Sequence, residues 1–126
     1  MIKLTPNFTL GEMTSTKTGI ANIPNVEQIN KLRILCRDIL EPLRQYLGGI
    51  PIIVDSGFRS PAVNESVGGV SNSQHLLGQA ADIHCITLTA FELYKAIDKL
   101  VLEGQLDIGQ CILYTKSHFV HVSLLS

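Results

Sequence analysis

The chain has 126 residues, 45% of them hydrophobic and 17% charged, which suits one packed domain spanning 1–126. Ten basic and eleven acidic residues leave a net charge of −1 with no basic run and few aromatics, so nucleic-acid binding through phosphate neutralisation is excluded as a main role. No window approaches the roughly 18 apolar residues of a membrane span, and MIKLTPNFTLGEM lacks a signal peptide's apolar run, so cytoplasmic synthesis without a leader is expected.

From Val26 the apolar positions Ile29, Leu32, Leu35, Ile39, Leu40, Leu43 and Leu47 recur at helical spacing. Asn25 is placed to cap this helix and Gly48-Gly49 to stop it, while Pro42 predicts a kink or break near Leu40. Ile50 to Val54 reads as a short buried strand, closed by Ser56, Gly57 and Pro61. The Asn-, Ser- and Gly-rich segment 62–74 reads as a long surface loop.

Ala80 to Ile86 alternates as a strand, with Ala80, Asp82 and His84 on one face and Ala81, Ile83 and Cys85 on the other. A second helix follows to Leu102, with Thr89 and Glu92 at capping-box spacing and an apolar stripe of Phe91, Leu93, Ala96, Ile97, Leu100 and Val101. Gln110 to Tyr114 and His118 to Leu124 form a closing hairpin. This order predicts an α+β fold with a small antiparallel sheet flanked by helices. Cys36, Cys85 and Cys111 are odd in number and lack CxxC spacing, so they read as reduced, mostly buried thiols.

SNSQHLLGQAADIH is the least ordinary segment. Zinc takes imidazole nitrogen and carboxylate oxygen, and a hydrolytic site keeps three protein ligands. His75 and Asp82 can supply two, because Gly78, Ala80 and Ala81 let the chain fold back tightly. Strand alternation puts Phe119, His121 and Ser123 on one face, so His121 is the better third donor and His118 a rim residue. Spacing alone leaves open that these are satisfied core or surface residues.

SQHLLGQAAD fits the pattern Ser-x-His-x-x-Gly-x-Ala-x-Asp, SGFRSPAVNESVGG resembles a Ser-Gly-Tyr-Arg-Ser-Pro segment, and FVHVS resembles a Trp-x-His-x-Ser strand. Together they resemble the zinc D-Ala-D-Ala carboxypeptidases of peptidase family M15, subfamily A type, whose fold is shared with the Hedgehog signalling domain. FTLGEM and LRILCRDILEPLR also resemble small phage and prophage members.

That resemblance implies one Zn2+ held by His75, Asp82 and His121, with cell-wall peptidoglycan peptides as substrates and hydrolysis by metal-activated water. It implies that Arg59 engages the substrate carboxylate or the developing oxyanion. Ser73 either orients a ligand or satisfies nearby backbone. A monomer is assumed, acting on the wall after release or as part of a phage particle.

One departure matters. Tyr114 of QCILY stands where the resemblance calls for a catalytic glutamate, and Phe119 replaces Trp. His118 is then the expected catalytic base, while Tyr114 contacts substrate and can donate a proton but is a poor base at a pKa of ~10. The other reading is a catalytically impaired zinc module that recognises a peptide or protein partner.

Overall fold

The computed structural model describes residues 1–126. A two-stranded ribbon of β1 (Lys3–Thr5) and β2 (Phe8–Thr9) leads into α1 (Leu10–Thr14), where Thr9 and Glu12 form a capping box. Next come α2 (Val26–Leu35) and α3 (Glu41–Tyr46), joined by a single π turn, Cys36–Leu40. Asn25 caps α2 through the Gln28 N–H, and Gln28 returns the bond to Asn25. The break expected near Leu40 is this π turn. Widening the helix ahead of Pro42 relieves the clash that a proline ring makes with the preceding turn, so the helical run continues into α3.

The remaining elements are β3 (Ile53–Ser56), α4 (Pro61–Ser66), a 3-10 turn at Gln74–Leu77, β4 (Ala80–His84), α5 (Ala90–Leu102), β5 (Cys111–Tyr114) and β6 (Phe119–Ser123). The last four strands form one antiparallel sheet in the order β3-β4-β6-β5. Its core face carries Ala81 and Ile83 from β4 and Val120 and Val122 from β6. Leu32, Leu35, Ile39, Leu40 and Leu43, together with Leu93, Ile97 and Leu100 of α5, belong to the same buried cluster. Full burial of each such aliphatic side chain contributes about 1.5–3 kcal/mol before entropy is counted.

Three expectations change. The strand after Gly49 begins at Ile53, not Ile50, and is a half-buried edge strand, because Pro51 has no N–H to donate to a ladder. The segment 62–74 is not a continuous loop: Ser60 caps α4 through the Val63 N–H and Pro61 sits in the first turn. Phe91 lies 57% exposed beside the buried stripe of α5 rather than within it. The Thr89–Glu92 capping box forms as expected. Cys36 and Cys85 are buried free thiols, Cys111 is half-buried, and no helix is long and apolar enough to cross a membrane.

Candidate metal centre

The sheet face opposite the core floors a cleft of about 590 Å³. Asp82 and His121 are direct cross-strand neighbours on β4 and β6, so both side chains rise from the same face. His75 reaches them from the 3-10 turn. The Ser73 hydroxyl accepts the His75 main-chain N–H at 3.2 Å, and Gly78 ends the turn in the left-handed region at φ 74. A Cβ at Gly78 would press on the Gln28 carbonyl of α2, so both conformation and space call for glycine there.

The three donor atoms lie within 4.8 Å of one another. His121 Nδ1 is 2.8 Å and His75 Nε2 is 3.3 Å from the same oxygen, Asp82 Oδ1. Their outward nitrogens meet amide oxygens: His75 Nδ1 lies 2.6 Å from the Gly57 carbonyl and His121 Nε2 lies 3.1 Å from Gln110 Oε1. In the tautomer that donates from each outward nitrogen to these oxygens, each inward nitrogen offers a lone pair. Two imidazole lone pairs and a carboxylate oxygen therefore converge on one point. Such an arrangement repels itself unless a proton or a metal ion stands between the three, and the donor set suits a divalent transition metal. Burial by itself raises the Asp82 carboxyl, but with a proton on each inward nitrogen in place of a metal, hydrogen bonds and charge from His121 and His75 override it and bring its pKa to about 2.

Arg59 stands beside this set. Its Nη2 is 3.3 Å from Asp82 Oδ2, its Nε donates to Ser56 Oγ at 3.0 Å, and its Nη1 donates to Asn64 Oδ1 at 3.3 Å. Three of the five guanidinium N–H groups are thus engaged, which leaves two for a ligand. Across the cleft, Tyr114 stacks on Phe119 with ring centroids 4.7 Å apart and planes inclined by 21°. Ser73, Tyr114 and Phe119 line the cleft, and Asp82 is the sole carboxylate among its walls.

The structure thus brings Arg59, Ser73, His75, Asp82, Tyr114 and His121 into one cleft. It does not bring His118, which was expected to overhang the centre. His118 sits in the β5–β6 turn with left-handed backbone, φ 60, and its side chain is exposed outside the cleft. His84 pairs with Asp55 at 2.8 Å instead of joining the site. Two contributors escaped the sequence reading. The Gly57 carbonyl leaves no side-chain signal. Gln110 precedes β5, and its contact with His121 depends on the β5–β6 pairing.

An antiparallel sheet that aims a His-Asp-His set into an open cleft is the build of a single-metal hydrolytic centre. The family model described as Peptidase M15 matches residues 3–123, and the chain belongs to that family. The zinc D-Ala-D-Ala carboxypeptidase of Streptomyces albus G is 50% identical over 44 residues, 35% of this chain and 17% of that protein. The chain therefore spans only a small part of that relative's length. The crystal structure of the L-Ala D-Glu endopeptidase of Serratia marcescens aligns with 86% of this chain and 95% of its own, at 19% identity and a TM-score of 0.48.

Proposed function

We propose that the protein is a zinc metallopeptidase that hydrolyses a peptide bond in bacterial cell-wall peptidoglycan, at a D-Ala-D-Ala terminus or at a stem or cross-link bond. The observation that carries this reading is the convergence of three acceptor atoms from His75, Asp82 and His121 on one point, in a chain of the Peptidase M15 family. The relative's zinc carboxypeptidase activity supports the choice of metal and of substrate class. His75 would hold the ion through Nε2 and His121 through Nδ1, with Asp82 between them. Zinc held there supplies Lewis acidity toward the scissile carbonyl and toward water.

The chain's own residues supply the rest. Arg59 has two N–H groups free for a substrate carboxylate or a developing oxyanion. Gly57 and Gln110 hold both imidazoles with one ring nitrogen aimed inward. Tyr114 is within the cleft and can donate its phenolic proton to a leaving amine. We assign it proton donation in preference to His118, because Tyr114 lines the cleft and His118 does not.

One observation favours a second reading. With no carboxylate but Asp82 in the cleft, a general base of the usual kind is missing, as a zinc module that binds peptides without cutting them requires. Incubating purified muropeptides with zinc-loaded protein, with His75→Ala as control, separates the two. Products seen by mass spectrometry with wild type alone identify the peptidase and its bond. Intact substrate, with zinc verified in the protein, selects the binding module.

A further inference from the structure

Asn64 is 4% exposed, lies outside the cleft wall, and nonetheless ties together three parts of the site. Its Oδ1 accepts from Arg59 Nη1, and its Nδ2 donates to the Val70 carbonyl at 2.9 Å. Its main-chain oxygen accepts the Gly69 N–H at 2.8 Å. Gly69 sits so close that a Cβ there would overlap the Asn64 amide and come within 3.0 Å of Arg59 Nη1. The φ of Gly69 is not in the left-handed region, whereas Gly68 turns at φ 75. The two glycines therefore differ in purpose: Gly68 turns the chain, and Gly69 leaves room for the amide.

We infer that Asn64 is a positioning residue that sets the Arg59 guanidinium and the 67–73 rim loop in one fixed relation. This rests on the metallopeptidase reading above. The geometry specifies the side chain closely. Arg59 demands an acceptor and the Val70 carbonyl a donor, and only an amide of this length offers both. An aspartate would keep the acceptor, lose the donor and set a second anion on the guanidinium that already pairs with Asp82. With Asn64 in place the guanidinium is held on three edges, by Ser56, Asn64 and Asp82, and its two remaining N–H groups keep one direction. Without it the fork swings about its Nε and Nη2 contacts, and the Val70 segment loses its anchor.

The test is a double-mutant cycle on the zinc-loaded full chain. Asn64→Leu, which keeps the branching and heavy-atom count of asparagine but has no polar atom, is combined with Arg59→Ala. Turnover of a cell-wall stem peptide with a free terminal carboxylate, calorimetric Kd for that peptide, and zinc affinity by chelator competition are all read. Asn64→Leu is expected to lower kcat/KM on the order of 10- to 100-fold, in keeping with small misplacements of a substrate-orienting group. Zinc affinity should change by less than about threefold, and in the Arg59→Ala background the same substitution should add less than about twofold.

Multiplicative losses would overturn the inference, as would a loss traced to weaker zinc binding. Gly69→Ala carries the same cycle should Asn64→Leu not fold, because its methyl group displaces the Asn64 amide and should reproduce the defect. If wild type cleaves no stem peptide, the metallopeptidase reading fails at that point. The cycle is then decided by peptide Kd alone: coupling of Asn64 to Arg59 upholds the positioning role, and additivity removes it.

Discussion

Gly57 links a steric constraint to the metal centre, so Gly57→Ala tests the site from an indirect side. A Cβ there would overlap the Met13 carbonyl oxygen and lie 3.0 Å from its carbon. Both are main-chain atoms at the end of α1, so no rotamer change relieves the contact. Overpacking of this kind costs about 1–3 kcal/mol. The Phe58 N–H that donates to the same Met13 oxygen at 2.8 Å would be pushed away, which costs a further ~0.5–1.5 kcal/mol. The sum, about 1.5–4.5 kcal/mol, corresponds to a fall in Tm of roughly 6–17 °C for a domain of this size.

The same displacement moves the Gly57 carbonyl off His75 Nδ1, where the contact is now 2.6 Å. Losing such a support for a ligating histidine lowers metal affinity roughly 10- to 100-fold. Thermal melts of metal-free protein and chelator competition for zinc measure the two effects separately. Gly11→Ala is the control, because a Cβ there lies 3.9 Å from its nearest neighbour, Thr9 Oγ1, and should leave zinc affinity unchanged and Tm no lower than wild type. A Tm within about 2 °C of wild type would refute the steric argument. A lowered Tm with full zinc affinity would refute the link from Gly57 to His75.

Asp82 predicts an acid transition in metal-free protein. Its pKa falls from 3.8 to about 2 on folding, so its stabilisation is complete above the unfolded value and lost as pH drops through the folded one. About 2 kcal/mol should disappear between roughly pH 5 and pH 1, and Asp82→Asn should remove that part of the pH dependence in melting curves. Tyr114→Phe should lower kcat on the order of 100-fold or more if its proton is used, while His118→Ala stays within about threefold. The reverse pattern in steady-state assays would return proton transfer to His118. Burial pushes the Cys36 thiol up to about 12, and burial with the nearby Asp98 charge brings Cys111 to about 11. A colorimetric thiol reagent at pH 7.5 should therefore react slowly with native protein and promptly in denaturant.

Much of this architecture could be read locally, and the exceptions share a cause. Thr89 with Glu92 announced α5 because a capping box is written within four consecutive residues. Alternation in FVHVS put His121 on the face of Phe119, and the β4–β6 register then set it opposite Asp82. Pro51 is a local signal too: it excludes a ladder donor and delays β3 to Ile53. Ser60-Pro61 was likewise a helix start hidden by the Asn, Ser and Gly residues that follow. What no local pattern could show are contacts made across the fold. Gln110 against His121, Gly57 against His75 and Asn64 against Arg59 each join residues whose meeting depends on tertiary packing.

The amide oxygens behind the two imidazoles have an electrostatic consequence. Many ligating histidines lean on a carboxylate, which returns negative charge toward the metal. Here both lean on neutral groups, the Gly57 carbonyl and the Gln110 side chain. Asp82 is balanced by Arg59 at 3.3 Å, and no other acid lines the cleft. A divalent ion bound at this centre would keep nearly its whole charge, as a local positive field on a chain whose net charge is only −1. Anionic peptide ends would be drawn toward such a cleft and ammonium groups turned away. Salt would weaken that pull, since screening at physiological ionic strength acts over about 8 Å.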